Sequence, residues 1–226
     1  MVRVLVVQFQ DDAPPAWLGD WLLAAGAGVD VVGPTEAALD RYDAMVVLGG
    51  SPSADDDRPD VRAAQDLVRE AAQRRLPTLG ICLGHQVAAV ALGGTVARNP
   101  DGQQVGLTPV GWLDAAAEDP LLGTLTDVRH AVHWNGDVVV ELPPSGTLLA
   151  TASGGRVQAA RLAETVWGVQ WHPEVDDRVI TSWAEEDRAA HPPGRVDTVV
   201  AEVRAARAEL EQGWRGLATS LLRLTA

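Results

Sequence analysis

The chain has 226 residues, a length that suits one α/β domain, so residues 1–226 are expected to form a single domain. Its formal net charge of −13 would repel a phosphate backbone, which argues against nucleic acid as a partner. One cysteine excludes an internal disulfide, and without close Cys/His spacing we expect no metal site. Because no apolar stretch reaches the ~20 residues that span a bilayer and the start does not resemble a signal peptide, we expect a cytoplasmic protein without membrane contact.

The first part of the chain alternates apolar runs with helical periodicity. Residues 2–7, 44–48 and 78–81 are apolar without clean alternation, as in strands that are buried on both faces. Helices are predicted over residues 16–25 and 60–75, which lie between these runs. The order β-α-β-α-β predicts an α/β fold whose central sheet is doubly wound, largely parallel and flanked by helices.

After residue 94 the extended segments become shorter, and we expect mixed or antiparallel pairing in this half. The clearest segments are residues 106–110, 128–132, 148–152 and 166–171. A Pro- and charge-rich stretch over residues 176–194 precedes a final amphipathic helix that is expected to pack onto the sheet. The apolar face of that helix comprises Val199, Val203, Leu210, Trp214, Leu217 and Leu221.

Cys82 lies where a buried strand gives way almost at once to a helix. Gly80 and Gly84 flank it at i−2 and i+2, a spacing that lets the neighbouring backbone pass close by while a nucleophile adopts a strained conformation. A helix N-terminus also favours thiolate over thiol. A lone cysteine is otherwise a small buried apolar residue, but that role needs neither the glycines nor the polar pair His85-Gln86. The pattern predicts a cysteine nucleophile.

His172 and Glu174 follow a second apolar segment. Residues at i and i+2 project to one side of an extended chain, so Glu174 can orient one imidazole nitrogen while the other faces Cys82, with Pro173 stiffening the backbone between them. This spacing predicts a Cys-His-Glu catalytic triad. By itself the segment could be a surface turn. His133, in a loop expected near the pocket, is an alternative base that lacks a carboxylate at i+2.

The two motifs resemble those of a known family. Gly80-Ile-Cys-Leu-Gly-His-Gln86 is similar to the nucleophile motif of class I glutamine amidotransferases, particularly the GMP-synthetase-like branch. Gly168-Val-Gln-Trp-His-Pro-Glu174 is similar to the second catalytic motif, with Trp171 where Phe is usual. The similarity extends over nearly the whole chain and implies a flavodoxin-like α/β amidotransferase fold.

The resemblance also implies roles for residues outside the triad. Gly50, in a glycine pair after a strand, and the backbone amide of Leu83 are expected to form the oxyanion hole, although the glycine pair could also be only a tight turn. The side chain of Gln86 is expected to contact the bound glutamine. The expected contacts of the amino-acid end of the substrate are Trp134, Gly136 and Asp137.

The predicted reaction is hydrolysis of glutamine through a γ-glutamyl thioester, without a metal or an organic cofactor. The resemblance implies that the ammonia passes to a separate synthetase subunit, because no residues remain for a nucleotide or acceptor site. Two alternatives stay open. One is a γ-glutamyl-peptide hydrolase with the same triad, and the other is a non-catalytic or redox-sensing module on the same fold.

Overall fold

The computed structural model describes residues 1–226, apart from the side chain of Ser153. The strands are β1 Arg3–Val7, β2 Gly28–Val32, β3 Ala44–Val47, β4 Thr78–Ile81, β5 Thr95–Arg98, β6 Gln104–Pro109, β7 Gly111–Trp112, β8 His130–Asn135, β9 Asp137–Glu141, β10 Thr147–Thr151, β11 Val157–Ala163 and β12 Val166–Val169. The α-helices are α1 Ala16–Ala24, α2 Pro59–Arg74, α3 Leu83–Ala91, α4 Asp114–Ala117, α5 Asp177–Glu186, α6 Arg195–Ala205, α7 Arg207–Trp214 and α8 Gly216–Arg223. None of these helices is long and apolar enough to cross a bilayer.

An eight-stranded sheet with the order β2-β1-β3-β4-β12-β11-β10-β7 forms the centre of the fold. Its first five strands pair in parallel, and the pairs from β12 to β7 are antiparallel. Two antiparallel pairs, β5 with β9 and β6 with β8, lie beside it. The predicted α/β fold with a largely parallel sheet and a mixed second half is confirmed.

Helices cover both faces of the sheet, which explains why its central strands are apolar throughout. Every residue of β3 and β4 is buried. On one face Val46 and Leu79 pack with α1 and the C-terminal helices, and on the other Met45 and Val47 pack with α2 and α3. Parallel strands that are covered on both faces have no polar side, so their sequences cannot alternate.

Strand β2 was not predicted, and its position explains why. It is the edge strand beside β1, and most of its residues are only partly buried. Asp30, in its middle, forms an ion pair with Arg3 on the neighbouring strand. A charge inside a five-residue segment interrupts the apolar run on which the strand predictions depended. The observed order therefore differs from the predicted one, because helix α1 leads into β2 and not directly into β3.

Two strand bounds in the second half were predicted wrongly. Residues 128–132 were expected to be extended, but Val128 donates its N–H to Leu125 in a turn, and β8 starts at His130. His133 therefore lies within a strand and not in a loop. The segment over residues 166–171 ends as a strand at Val169, so the following residues are free to leave the sheet plane.

The C-terminal region differs from the single amphipathic helix that was predicted. Three helices replace it, and the first break falls at Ala206, whose φ of −86° and ψ of 0° are not helical. The predicted apolar face is buried as expected. Because α6 packs against β6 and α5 whereas α8 packs against α1, one straight helix could not reach both surfaces.

Residues 176–194 contain helix α5, which was also not predicted. Asp176 caps its N-terminus and accepts hydrogen bonds from the backbone N–H groups of Arg178 at 2.9 Å and Val179 at 3.0 Å. A 3₁₀ turn over Asp187–Ala190 continues the helix. Helix α5 and this turn bring acidic side chains to the site described below.

Gly84 is expected to tolerate no side chain, because a methyl group there would overlap the carbonyl oxygen of Val47 on β3. Gly84→Ala should lower the free energy of unfolding by ~1–3 kcal/mol or more, the usual cost of overpacking. Gly33→Ala is the matched control, since no heavy atom lies within 4 Å of the added methyl group. Urea unfolding of both variants checks this, and equal losses would contradict the close packing of α3 on β3.

Candidate active site

A cavity of about 530 Å³ opens at the carboxyl ends of the parallel strands, where open α/β sheets usually bind ligands. The loops after β1, β3, β4 and β12 each contribute to its lining. Those loops place Ala13, Gly50, Cys82 and His172 around one space. Residues far apart in sequence thus meet because their strands are neighbours in the sheet.

Cys82 forms the turn between β4 and α3. Its φ of 51° and ψ of −107° lie outside the conformations that non-glycine residues normally adopt. Its backbone N–H donates to the carbonyl of Val169 at 2.8 Å, which fixes the turn against β12. A methyl group at Gly80 would overlap the backbone of Gly84, so the strained turn requires glycine at the first of these positions. The thiol is thereby held at the cavity wall.

His172 lies beside Cys82 and is oriented by Glu174. Its Nδ1 is 2.7 Å from a carboxylate oxygen of Glu174, and both side chains are buried. A methyl group at Gly49 would be 3.0 Å from the ring carbon Cε1 of His172 and 3.6 Å from Cβ of Cys82, which places both on one side of this glycine. Among the described residues Nε2 has no hydrogen-bond partner, so it remains available to the sulfur or a substrate.

The electrostatics of this pair favour a protonated ring. Burial opposes the charge, but the Glu174 carboxylate and the Cys82 sulfur outweigh it and raise the pKa of His172 well above its ordinary 6.5. Trp183 packs its ring against the imidazole with centroids 4.7 Å apart and closes it off from solvent. His172 can therefore hold a proton at neutral pH.

The stability that this ion pair contributes should depend on pH. Because the folded-state pKa of His172 exceeds the unfolded value, the contribution is complete below pH 6.5 and is lost as the pH rises through the folded-state pKa. Denaturant unfolding should give a free energy of unfolding that falls with pH above about 6.5. Glu174→Gln removes one negative neighbour and should flatten this slope. Equal slopes in both proteins would contradict the assignment.

The structure does not bring His133 to the cavity. It points away from Trp134, its cavity-lining neighbour on β8, and its ring meets Trp171 edge-on with centroids 6.4 Å apart. Burial lowers the pKa of His133 to about 3, and the nearby charge of His172 lowers it further, whereas a hydrogen bond to Asn135 raises it by a smaller amount. His133 is thus a neutral core residue.

The two expected oxyanion donors occupy different positions relative to the cavity. Gly50 lines it, in the loop after β3. The side chain of Leu83 is buried in the core with Val87, so only its backbone N–H, in the first turn of α3, is available. The N–H groups of a first helical turn have no partner within the helix and can bind a negative oxygen.

The expected substrate contacts Gln86, Trp134, Gly136 and Asp137 all line the cavity. Gln86 donates from Nε2 to the backbone oxygen of Asp137 at 2.9 Å. The Asp137 carboxylate accepts from the hydroxyl of Ser53 at 2.7 Å and pairs with Arg98 at 3.2 Å. These contacts hold the side walls of the cavity in place.

Sequence reasoning missed several residues of the site. Among the described residues of the lining, Arg98 is the only arginine. Asp187 accepts hydrogen bonds from Nε1 of Trp134 at 2.6 Å and from Nε2 of Gln103 at 3.1 Å. No local signal pointed to these two, because strands and helices far apart in sequence supply them. Gln170, which contacts Cys82, could have been found, since it precedes His172 by the same two-residue step that links His172 to Glu174.

A strained cysteine elbow beside a His–Glu pair is typical of cysteine-dependent hydrolases. The model of the family "Glutamine amidotransferase class-I" matches residues 16–182. One of the subunits of the glutamine-hydrolyzing GMP synthase of Saccharolobus solfataricus is 36% identical over 156 residues, which are 66% of this chain and 78% of that protein. Gamma-glutamyl peptidase 3 of Arabidopsis thaliana is 28% identical over 152 residues, 65% of this chain and 60% of the peptidase.

A solved structure gives the same result. A glutamine amidotransferase from Thermotoga maritima superposes with a TM-score of 0.84 at 25% identity, over 99% of this chain and 98% of that one. The chain therefore belongs to the class I glutamine amidotransferase family. It is an enzyme of the glutamine amidotransferase and cysteine hydrolase class, and its resemblance to the GMP-synthetase-like branch is confirmed.

Proposed function

We propose that this enzyme hydrolyses the side-chain amide of glutamine and supplies the ammonia to a separate synthetase subunit. The observation that carries the proposal is the shared position of Cys82 and His172 on the wall of one cavity, with Glu174 bound to the ring from behind. The relatives named as subunits of a glutamine-hydrolyzing GMP synthase support glutamine as the substrate and a synthetase as the partner.

In the first half of the proposed reaction the Cys82 thiolate attacks the carboxamide carbon of glutamine. The negative charge moves to the carbonyl oxygen, where the N–H groups of Gly50 and Leu83 stabilise it. Protonated His172 then gives its proton to the departing nitrogen, the C–N bond breaks, and ammonia leaves. A γ-glutamyl thioester remains on Cys82.

Water completes the cycle. Neutral His172 takes a proton from a water molecule as the oxygen attacks the thioester carbon, and the C–S bond breaks to regenerate the thiolate and protonated ring. Glutamate is released, so each cycle consumes one glutamine and one water. Glu174 keeps the ring in the required orientation through its contact with Nδ1.

The cavity wall carries charges of both signs that could bind the free α-carboxylate and α-ammonium groups of a substrate. Arg98 offers a positive group to the α-carboxylate, and Asp137 offers a negative group to the α-ammonium. In the proposal these two residues, with Trp134 and Gly136, orient the substrate so that its amide reaches Cys82.

Hydrolysis of γ-glutamyl peptides is the second candidate function. A cavity of about 530 Å³ falls in the range that holds drug-sized ligands, so it has room for a γ-glutamyl dipeptide as well as for glutamine. The similarity to a gamma-glutamyl peptidase favours the same possibility. Both reactions would use the same thioester.

The discriminating experiment measures glutamate release from glutamine, γ-glutamyl dipeptides and γ-glutamyl amines by the purified chain, alone and with synthetase subunits from the same genome. We expect weak glutaminase activity that rises when a synthetase and its acceptor substrate are present. Faster turnover of γ-glutamyl peptides that no synthetase alters would favour the peptidase function. A chain that turns over none of these compounds would support the non-catalytic or redox-sensing alternative.

A further inference from the structure

Beneath the cavity lies a buried chain of side-chain amides that ends on the nucleophile. Gln170 is fully buried and does not line the cavity, yet its Nε2 is 3.6 Å from the sulfur of Cys82. Its Oε1 accepts a hydrogen bond of 3.1 Å from Nε2 of Gln86. The same nitrogen of Gln86 donates to the backbone oxygen of Asp137. Three groups are thus connected in series to one sulfur atom.

The direction of these hydrogen bonds is fixed at the far end. A backbone carbonyl can only accept, so Gln86 must present its NH₂ group to Asp137. The second hydrogen of that NH₂ group is donated to Gln170, which must therefore offer its oxygen to Gln86. Nε2 of Gln170 is then directed at Cys82. The sulfur consequently faces a donor and not an acceptor.

A donor at this position stabilises negative sulfur more than neutral sulfur, because hydrogen bonds to a charged acceptor are the stronger ones. The carbonyl oxygen of Trp134, 4.0 Å from the sulfur, can only accept from the neutral thiol and gives no such help. His172 presents a positive charge to the sulfur from the cavity, whereas Gln170 presents a neutral hydrogen-bond donor to it from the protein interior.

We propose that Gln170 is a positioning residue that holds the sulfur of Cys82 in place and favours its thiolate form, with its amide orientation set by Gln86 and the carbonyl of Asp137. The inference rests on the proposed function for the identity of the nucleophile. It also gives Gln86 a second role, since both hydrogens of its amide are used inside the protein and only its oxygen remains for the substrate.

The test is the pH dependence of alkylation of Cys82 by iodoacetamide, which reports the thiolate without requiring turnover. In Gln170→Met the pH of half-maximal alkylation should rise by about one unit. At pH values below the wild-type midpoint, kcat for glutamine should fall by up to about tenfold, with a smaller change in KM. Gln158→Met is the matched control. This glutamine lies on β11, is equally buried, and neither of its amide atoms has a partner among the described residues.

Gln170→Glu provides a second variant should the methionine variant not fold, as judged by circular dichroism. It keeps the shape and still accepts from Gln86, but it turns an oxygen toward the sulfur, so the midpoint of alkylation should rise further than in Gln170→Met. Midpoints that match those of the wild type and Gln158→Met would overturn the proposal. Shifted midpoints in a protein that turns over no glutamine would support this role of Gln170 while refuting the proposed function.

Discussion

Cys82→Ser is expected to abolish glutamine hydrolysis, with a loss of ~10³-fold or more, while leaving the fold intact. The hydroxyl is almost the same size as the thiol and can occupy the same strained turn, but it does not ionise in the neutral range and is a far weaker nucleophile toward the amide. Glutamate release at saturating glutamine measures the loss.

A glutamine-like electrophile provides an independent measurement of the same residue. It should add one covalent group to the wild-type chain, at Cys82, and none to the serine variant, as seen by intact-protein mass spectrometry. Urea unfolding serves as the control, since both proteins should unfold at similar denaturant concentrations. Undiminished hydrolysis by a correctly folded Cys82→Ser protein would eliminate the thioester mechanism.

His172→Ala is expected to lower kcat by ~10²–10⁴-fold, the usual contribution of general acid–base catalysis. The ring must both protonate the departing ammonia and activate water, so its loss affects both halves of the reaction. Glu174→Gln should cost less, because this side chain orients and supports the ring through Nδ1 without moving a proton itself.

His133→Ala is the matched control for this comparison, since it removes a second buried imidazole that does not line the cavity. Its effect on kcat should be small at a temperature where all variants are folded. If His133→Ala were the more damaging change, the assignment of the base would have to be reversed.

The sequence located the candidate catalytic residues more completely than the residues around them. Short motifs drew attention to Cys82, His172 and Glu174, because flanking glycines and polar residues two positions apart are uncommon in segments that serve only packing. The structure places Cys82 and His172 on one cavity wall with Glu174 bonded to the ring, and their catalytic roles stay a prediction. Gln86 and Asp137 followed from resemblance. The strands β1, β3 and β4 were equally easy to predict from the sequence, since burial on both faces makes their sequences continuously apolar.

The remaining features depend on tertiary contacts that no local pattern records. Arg98 and Asp187 reach the cavity from a strand and a 3₁₀ turn whose sequences resemble any exposed segment. The break at Ala206 occurs in an alanine-rich stretch with high helix propensity, because its two sides pack on different neighbours. Strand β2 was not predicted because Asp30 interrupts its apolar run. The charge of Asp30 is paired with Arg3 on the neighbouring strand, a contact that the local sequence does not show.

The left-handed backbone of Cys82 has a consequence for the free energy of the whole protein. A non-glycine residue at this φ costs about 1–3 kcal/mol, whereas glycine adopts it freely. A glycine at position 82 would therefore give the most stable turn, but glycine has no side chain that could react. Part of the folding free energy is spent on presenting a sulfur atom at a strand end, so at the position proposed for the nucleophile the requirements of stability and of activity conflict.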